Sequence, residues 1–388
     1  MAGTFQVVIN GTPVEDDFYT KMAALEVEEN ADEPGAFVMK LPVATDGGTD
    51  LTFVNDPRLQ PFANVAVVVK QEDQADQCVF DGYVLSHKLH LETGAASSLL
   101  EVWGQDASWL MNLEEKAREW VDVTDGSVAN SIFGEYGFAP ADENTDEDAV
   151  SHPESGHSLM QRATDIQFLR NLARRNGKLC RVAAEDKPGQ LTGYFITPPL
   201  DGEPTVTLAL NDAAAATVSA LDFEWDVTRP SAVNARQALL TDASEDGASG
   251  NATDSGLAAL DERDLATFAG RATTVLLTTV VDDAGELAAR AQGLLRESGW
   301  FLRCEGETDA SRLKAVLRAA TVVQVDGAGA VHSGKYFVWK VRHSFTQDAH
   351  KMRFSLCRNA AGPAPSGAGG LPFGLLSLIH ISEPTRPY

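Results

Sequence analysis

The sequence predicts an α+β fold in which β-structure dominates. Short stretches of alternating apolar residues recur between Gly, Asn and Asp turns, and the apolar period changes to 3.6 in three places. One arrangement of strands and turns also occurs twice. At 388 residues the chain is long enough for two or three domains with a sizeable core.

Residues 5 to 105 are interpreted as strands, because short runs with alternating or β-branched residues are separated by turn residues. Many short strands with regular turns are typical of a barrel or a sandwich. The predicted strands are "FQVVING", "AALEVEE", "GAFVMKL", "VAVVVKQ", "CVFDGYVLSHKLHLE" and "SLLEVWG".

Three amphipathic helices are predicted after Trp109. In "DGSVANSIFGEYGF" the residues Val128, Ile132 and Phe133 share one face, and Gly137 is a suitable stop. "TDIQFLRNLARRNG" begins at a capping threonine, Thr164, and "DDAGELAARAQGLLRESG" places its leucines on one side. The intervening "PADENTDEDAVSHPESG" is predicted to be a loop too acidic to pack a core, and "TDASEDGASGNATDSG" a mobile surface loop.

Strands resume at "LTGYFITPP", "TVTLAL" and "VSALDFEWDV", and a repeat becomes visible near the end of the chain. Residues 65 to 104 and 320 to 359 each contain an apolar strand, a polar turn, a strand reaching a histidine, a second turn and a closing strand. Gly82 and Tyr83 are matched with Gly334 and Tyr336, and His87 or His90 with His343. We interpret these segments as two copies of one β-meander.

The charge balance argues against a protein that wraps nucleic acid. The chain has 56 acidic and 31 basic residues and a formal charge of −25, so its surface repels phosphates. The acidity is explained either by solubility or a salty habitat, or by a functional acidic surface.

The residues that usually hold metals are not grouped in the sequence. Cys78, Cys180, Cys304 and Cys357 lie far apart without CxxC spacing, so they are expected to be reduced and packed. His343 falls on the apolar side of "YFVWKVRHSF", whereas His350 lies in the predicted turn "TQDAHK". We interpret His343 as a core or strand-end histidine rather than a metal ligand.

Catalytic motifs are also missing, although a β-rich hydrolase that uses a histidine and nearby carboxylates is one alternative. The chain lacks GxSxG, HExxH and a glycine-rich phosphate loop. Acidic pairs such as Asp282 with Asp283, or Asp122 with Asp125, are expected to cap helices or turns. We predict no catalytic, cofactor-binding or metal-binding residues, although a lytic domain after Gly374 stays open.

Both chain ends differ from the predicted domains. The N-terminus has no basic region before an apolar stretch, and no run of about 18 apolar residues occurs, so we predict neither a signal peptide nor a membrane span. Residues 361–374 are predicted to be a linker. Residues 375–388, "LLSLIHISEPTRPY", resemble a translated adapter sequence and are left out of fold reasoning, so the natural chain is expected to continue beyond Gly374.

A family resemblance rests on the order of several packing motifs over residues 5 to 360. They are "FDGYVLSHKLHLE" with its Phe-x-Gly, "LEVWGQDASWLM" with its Gly-x-Asp, "SIFGEYGFAP", "MQRATDIQFLRNLARRNGKLCRV", "HSGKYFVWKVRHSF" and "MRFSLCRN". In this order they resemble the late control protein D family of phage baseplate hubs, which includes the N-terminal part of VgrG spike proteins and hubs of extracellular injection particles. The chain departs from many members at "LRAATVVQV", where they have a Pro-Gly turn.

The resemblance implies a homotrimeric hub with two tube-like antiparallel β-barrels per chain, forming a pseudo-hexameric ring between the hexameric tail tube and the central spike. It implies a first barrel at residues 1–112, an α/β segment at 113–199, a second barrel from 200–235 and 313–360, and a helix-bearing insertion at 236–312. Implied partners are a further copy of the chain, the tail tube protein, the spike protein, and baseplate wedge or tape-measure proteins.

The implied protein is made in the cytoplasm and assembled into a virion tail or an injection particle. DNA or protein cargo would pass through it without specific binding and without membrane insertion, and a negative lumen would keep cargo from adhering. A tube-terminating adaptor or a receptor-binding tail module is the second alternative; the internal repeat favours the hub. Phage tail, secretion system and extracellular particle are not distinguished by residues 1 to 374.

Overall fold

The computed structural model describes residues 5–44, 51–70, 75–93, 98–148, 150–154, 158–211, 215–237, 248–279, 281, 284–346 and 349–363. The predicted linker beyond residue 363, the terminal segment 375–388 and the pair Asp282 and Asp283 lie outside these residues, as do residues 241–247 of the loop predicted at 241–256.

Strands are the commonest elements of the described chain. They are β1 (Phe5–Ile9), β2 (Thr12–Pro13), β3 (Ala24–Asn30), β4 (Ala36–Pro42), β5 (Asn64–Val69), β6 (Gln77–His90), β7 (Leu99–Asp106), β8 (Glu115–Trp120), β9 (Val123–Thr124), β10 (Ala139–Pro140), β11 (Ser151–His152), β12 (Leu159–Thr164), β13 (Leu179–Ala184), β14 (Leu191–Ile196), β15 (Thr207–Ala209), β16 (Leu221–Trp225), β17 (Ala232–Gln237), β18 (Ala248–Ser249), β19 (Thr274–Leu277), β20 (Leu302–Asp309), β21 (Val322–Asp326), β22 (Gly334–Phe345) and β23 (His350–Arg358).

The helices are shorter and lie between groups of strands. They are α1 (Asp16–Lys21), α2 (Asp125–Glu135), α3 (Asp165–Asn176), α4 (Leu265–Ala269), α5 (Ala284–Ser298), α6 (Ala310–Leu313) and α7 (Gly329–His332), with 3-10 turns at Pro57–Leu59, Ala107–Asn112 and Asp142–Thr145.

One large sheet contains thirteen of the strands. Its order is β16-β20-β23-β22-β3-β4-β7-β6-β5-β1-β2, and β21 pairs with both β22 and β15. The pairing of β15 with β21 is parallel, and the other pairs are antiparallel. The β-dominated fold is therefore confirmed. Within the described residues this path does not close on itself, so the two predicted closed barrels are not confirmed.

The strands of the sheet bury one face because their apolar residues alternate with polar ones. A single core cluster forms on that face, and both meanders contribute to it. Its members include Val65, Val67, Val102, Val323, Val325, Val341 and Phe354. One continuous core therefore supports both copies of the meander.

A smaller unit with its own core follows β7 in the chain, and its core residues run from Ala107 to Phe195. Strands β8 and β12 pair with each other, and β13 pairs with β14, which also pairs with β10. Helices α2 and α3 contribute Ile132, Phe133, Leu169 and Leu172 to the core of this unit. The predicted helix positions are confirmed, with Gly177 in the left-handed conformation at the end of α3. Thr164 occupies the N-cap position as expected, but its hydroxyl makes no capping hydrogen bond and instead donates to Oδ1 of Asn112 at 2.8 Å.

The acidic segment of residues 140 to 156 packs better than its composition predicts. Asn144 is fully buried, and its side-chain amide donates to the carbonyl of Gly193 while its oxygen accepts from the backbone N–H of Phe195. The prediction that this segment cannot pack was wrong, because a polar residue anchors it by satisfying the backbone of β14.

The segment between β16 and β20 forms a further small unit. Strand β17 pairs with β18 and β19, and α5 packs on them through Leu287, Ala291 and Leu295. Strand β20 lies inside the residues assigned to the insertion but pairs with β16 and β23 in the large sheet. The division of the chain into domains stays a prediction.

Two glycines allow the paired strands β6 and β7 to approach each other closely. A Cβ atom added to Gly104 would lie 2.1 Å from the carbonyl oxygen of Tyr83, and one added to Gly82 would lie 2.1 Å from that of Gln105. Next to this close approach, the Asp106 carboxylate accepts from the backbone N–H groups of Gly35 and Ser108. These contacts give a physical reason for the Phe-x-Gly and Gly-x-Asp motifs.

We expect Gly104→Ala to destabilise the protein by about 3 kcal/mol, because the new methyl group meets backbone that cannot move away. Gly134→Ala is a matched control: this exposed helical glycine has no atom within 4 Å of its added Cβ, so the variant is expected to be up to about 1 kcal/mol more stable. Urea unfolding measures both. Equal stabilities for the two variants would contradict the close approach of β6 and β7.

Candidate functional site

The second meander joins the strands that flank the first one where β3 pairs with the second half of β22, and we call this junction the seam. Leu25–Asn30 of β3 lies opposite Lys340–Phe345 of β22, so Glu29 faces Val341 and Val27 faces His343. Because side chains alternate along a strand, Glu29 lies on the same buried face as Leu25 and Val27.

Glu29 is held in the core by a chain of polar side chains. Its carboxylate accepts from Nε of Arg318 at 2.9 Å and lies 3.3 Å from Nε2 of His343. Nδ1 of His343 lies 3.0 Å from Nε2 of His350. Which ring nitrogen donates in each contact depends on the tautomers of the two histidines.

Arg318 connects the seam to two other parts of the molecule. Its Nη2 donates to the carbonyl of Cys78 in β6 at 3.1 Å and to that of Ala184 at the end of β13 at 3.0 Å. One guanidinium therefore connects β3, strand β6 of the first meander and the smaller unit.

The electrostatics of the seam agree with its burial. Burial alone would raise the pKa of Glu29, but the charge of Arg318 and the hydrogen bonds from His343 and Arg318 lower it to about 2. Burial, together with the neighbouring His343, lowers the pKa of His350 to about 3, so this ring stays neutral.

The histidine pair has no open approach for a substrate. His343 is 0% exposed and His350 is 2% exposed, and the rings pack against Phe345 at centroid distances of 6.1 Å and 4.3 Å. Among the described residues no group of three His, Cys, Asp or Glu side chains is arranged to hold a metal ion. The geometry suits a structural network that holds the seam together.

The opposite face of the seam carries a row of charged residues in register. Glu307 faces Arg353, which faces Arg342, which faces Glu28. Glu28 bonds Lys340 and Arg342 at 2.8 Å each, and Arg353 lies 3.5 Å from Glu307. We call these residues the charged row. Its basic groups are paired with carboxylates of the same chain.

Two strand edges of the large sheet are unpaired within the described residues. Ser86–His90 of β6 pairs with β7 on one side, and β16 pairs with β20 on one side. Large apolar side chains lie at both edges: Leu89 is 40% exposed, Leu91 55% and Trp225 53%. Open edges with exposed apolar residues are typical of strands that pair with another chain.

The structure disperses most of the other residues that the sequence singled out. His87 and His90 are exposed on β6. The carboxylates of Asp122 and Asp125 serve separate turns, Asp122 accepting from the Glu154 N–H and Asp125 lying 2.7 Å from Nε2 of His152.

All four cysteines are buried and none forms a disulfide. Burial raises the pKa of the Cys78 thiol to about 12, as expected for a packed, unreactive residue.

Sequence reasoning missed Glu29, Arg318 and the position of His350. His350 was assigned to a turn, but it begins β23 and meets His343. In "LEVEEN" the third inward position is a glutamate, and a charged residue in the apolar register of a strand is the signal that was available. Such a residue needs a buried partner.

Comparison with known proteins gives one family and several solved structures. The family model that matches is described as the Alg8 N-terminal domain and spans residues 2–347, and it differs from the late control protein D family that the packing motifs resemble. No curated protein matches the sequence.

The solved structures share the fold at low sequence identity. A 43 kDa tail protein of prophage MuSo2 from Shewanella oneidensis has a TM-score of 0.65 at 14% identity and covers 92% of this chain and 99% of its own. A tail protein from Neisseria meningitidis MC58 has a TM-score of 0.62 at 14% identity, covering 92% and 97%. An E. coli component of the type VI secretion system, similar to the T4 tail proteins gp27 and gp5, has a TM-score of 0.52 at 14% identity, covering 89% and 76%.

We expect Glu29→Gln to destabilise the protein by about 3 kcal/mol, because it leaves a buried cation without its counter-charge. Glu28→Gln is the matched control on the exposed face, where losing ion pairs is expected to cost about 0.5 kcal/mol. Chemical denaturation measures both. Similar losses for the two variants would contradict the central role of Glu29.

We also expect the protein to lose stability as the pH falls from about 6.5 towards 3. The unfolded His350 takes up a proton in this range and the folded one does not, so its contribution is full above pH 6.5 and is lost as the pH falls, at up to about 1.4 kcal/mol per pH unit. Glu29 adds a loss below about pH 4.5.

His350→Gln should flatten the stability profile between pH 6.5 and 4.5, whereas His90→Gln, on an exposed ring, should leave it as in the parent protein. Unfolding midpoints measured across this range provide the test. An unchanged slope in His350→Gln would show that the buried ring is not responsible.

Proposed function

We propose that this chain, which belongs to the family of the Alg8 N-terminal domain, is a structural component of a contractile tail or injection system, because it has the fold of tail proteins. Its specific role in this proposal is the baseplate hub, a homotrimer that joins the hexameric tail tube to the central spike. The neighbours share the fold at 14% identity, so the role itself is argued from this chain.

The observation that carries the proposal is the repeated meander within one sheet. Strands β5, β6 and β7 pair in the same order as β21, β22 and β23, and both sets contribute to one core. Three chains with two such units each provide six similar units around one axis. A threefold particle can thereby match a sixfold tube.

The charged row supports passage of cargo without specific binding. A surface that binds DNA needs free Lys and Arg groups to neutralise phosphates. Here Lys340 and Arg342 are engaged by Glu28, and Arg353 lies beside Glu307. A channel lined by this face would offer few free cations to DNA, and its charges would be mixed. The predicted net negative lumen stays a prediction.

The remaining parts of the proposal concern partners and chemistry. The hub would contact the tail tube protein, the spike protein, and baseplate wedge or tape-measure proteins, after synthesis in the cytoplasm and assembly into a virion tail or injection particle. In this role the chain has no catalytic, cofactor or metal function. Among the described residues no helix has the length and apolar character needed to cross a membrane.

The oligomeric state of the purified chain tests the hub. Light scattering is expected to give three times the chain mass, and negative-stain images should show a ring with a central opening. A hexameric ring would favour a tube-terminating adaptor instead. A monomer at micromolar concentration would contradict the hub and favour a receptor-binding module or a β-rich hydrolase.

A further inference from the structure

The two meanders agree residue by residue in their pairing. In β6 the register against β7 shifts at Leu85, between Val84 and Ser86, and in β22 the register against β23 shifts at Trp339, between Val338 and Lys340. With these two bulges aligned, Lys88 corresponds to Arg342 and Leu89 to His343, and Gly82 corresponds to Tyr336. The sequence-based matches of Gly82 with Gly334 and of His87 or His90 with His343 were therefore wrong.

The flanking strands follow the same order in both copies. Strand β4 pairs with β7 and then β3, while β20 pairs with β23 and then β16. In the first copy Val27 of β3 lies opposite Phe37 of β4. In the second copy Phe223 of β16 lies opposite Cys304 of β20. Strand β16 is therefore the counterpart of β3.

The two copies differ in one pairing. The second half of β22 has β3 beside it, in the seam. The equivalent half of β6, Ser86–His90, has no strand at that edge within the described residues, and β16, the counterpart of β3, has none at its outer edge. Each chain therefore has two separate unpaired edges. One is equivalent to the β22 side of the seam, and the other is equivalent to the β3 side.

We propose that Ser86–Leu91 of one subunit pairs antiparallel with β16 of a second copy of this chain, reproducing the seam between subunits. This inference rests on the proposed trimer and names the surfaces that build it. The register follows from the intrachain seam: Lys88 lies opposite Glu224 of the neighbouring copy, as Arg342 lies opposite Glu28.

The residues that this register brings together are chemically complementary. Lys88 meets Glu224, His90 meets Asp222, and on the other face Leu89 meets Phe223. Opposite charges and apolar pairs across antiparallel strands are stabilising. Leu89 and Leu91, exposed in the single chain, correspond to His343 and Phe345, which the seam buries.

The geometry also limits the number of subunits. Each chain gives one edge and receives another, so the contact is heterologous and must close into a ring or continue as a filament. If the intersubunit seam repeats the rotation between the two meanders of one chain, then three intrachain seams and three intersubunit seams alternate around a closed ring of six units.

Engineered cysteines test the pairing in the otherwise unaltered chain. Cα atoms directly opposite on antiparallel strands are about 4.5 to 5.5 Å apart, within reach of a disulfide. Lys88→Cys combined with Glu224→Cys is expected to give a covalent trimer under oxidising conditions. Each single variant should stay uncrosslinked, because the four native cysteines are buried.

The matched control is Lys88→Cys with Phe223→Cys, which moves one partner by a single residue and places its side chain on the other face of the sheet. This pair should not crosslink. Equal crosslinking of both pairs, or a trimer in which Lys88→Cys with Glu224→Cys fails to crosslink, would overturn the proposed pairing while leaving the hub intact. A covalent trimer that binds neither tube nor spike protein would instead contradict the hub and support the pairing.

Charge reversal provides a second, independent readout. Lys88→Glu is expected to weaken each intersubunit junction by up to about fivefold through like-charge repulsion with Glu224. Adding Glu224→Lys should restore the trimer. Both side chains are exposed in the single chain, so the folded subunit should tolerate the changes. Failure of the double reversal to restore assembly would overturn the assigned register.

Discussion

The contact between Glu29 and Arg318 is the constraint on which the arrangement depends. A buried carboxylate is costly unless its charge is compensated, and the compensation comes from a residue 289 positions away along the chain. The same arginine bonds the backbone of β6 and of β13. Strands β3, β6 and β13 thus meet at one ion pair. The penalty of leaving a charge unpaired favours this packing over others.

Around this contact the large sheet separates two tasks. Its buried face forms one continuous core from both meanders, so neither copy has to fold on its own. Its exposed face near the seam carries the charged row, in which opposite charges pair across neighbouring strands. A structural role needs both properties, since a rigid wall requires a shared core and an inert wall requires paired charges.

The sequence was most informative where local rules decide the structure. Runs of β-branched or alternating residues located β5, β6 and β22, and the 3.6 period located α3 and α5. Strand β20 escaped because its inward positions include Cys304, Gly306 and Thr308 and its outward ones are charged. The seam could not be predicted, because no local pattern shows that residue 29 pairs with residue 341. The matches between the copies failed because they paired residues of the same type, whereas the strand pairing and the two bulges define which positions are equivalent.

The unequal connections between matching strands have a consequence for the outline of the particle. Strands β3 and β4 are joined by five residues, whereas their counterparts β16 and β20 are separated by a segment with its own sheet and helices. A closed assembly of three chains would therefore have an inner wall that repeats every 60° and a rim that repeats every 120°. A partner bound at the rim would contact sectors with and without the inserted segment in alternation. The same subunit would thus present sixfold symmetry at the inner wall and threefold symmetry at the rim.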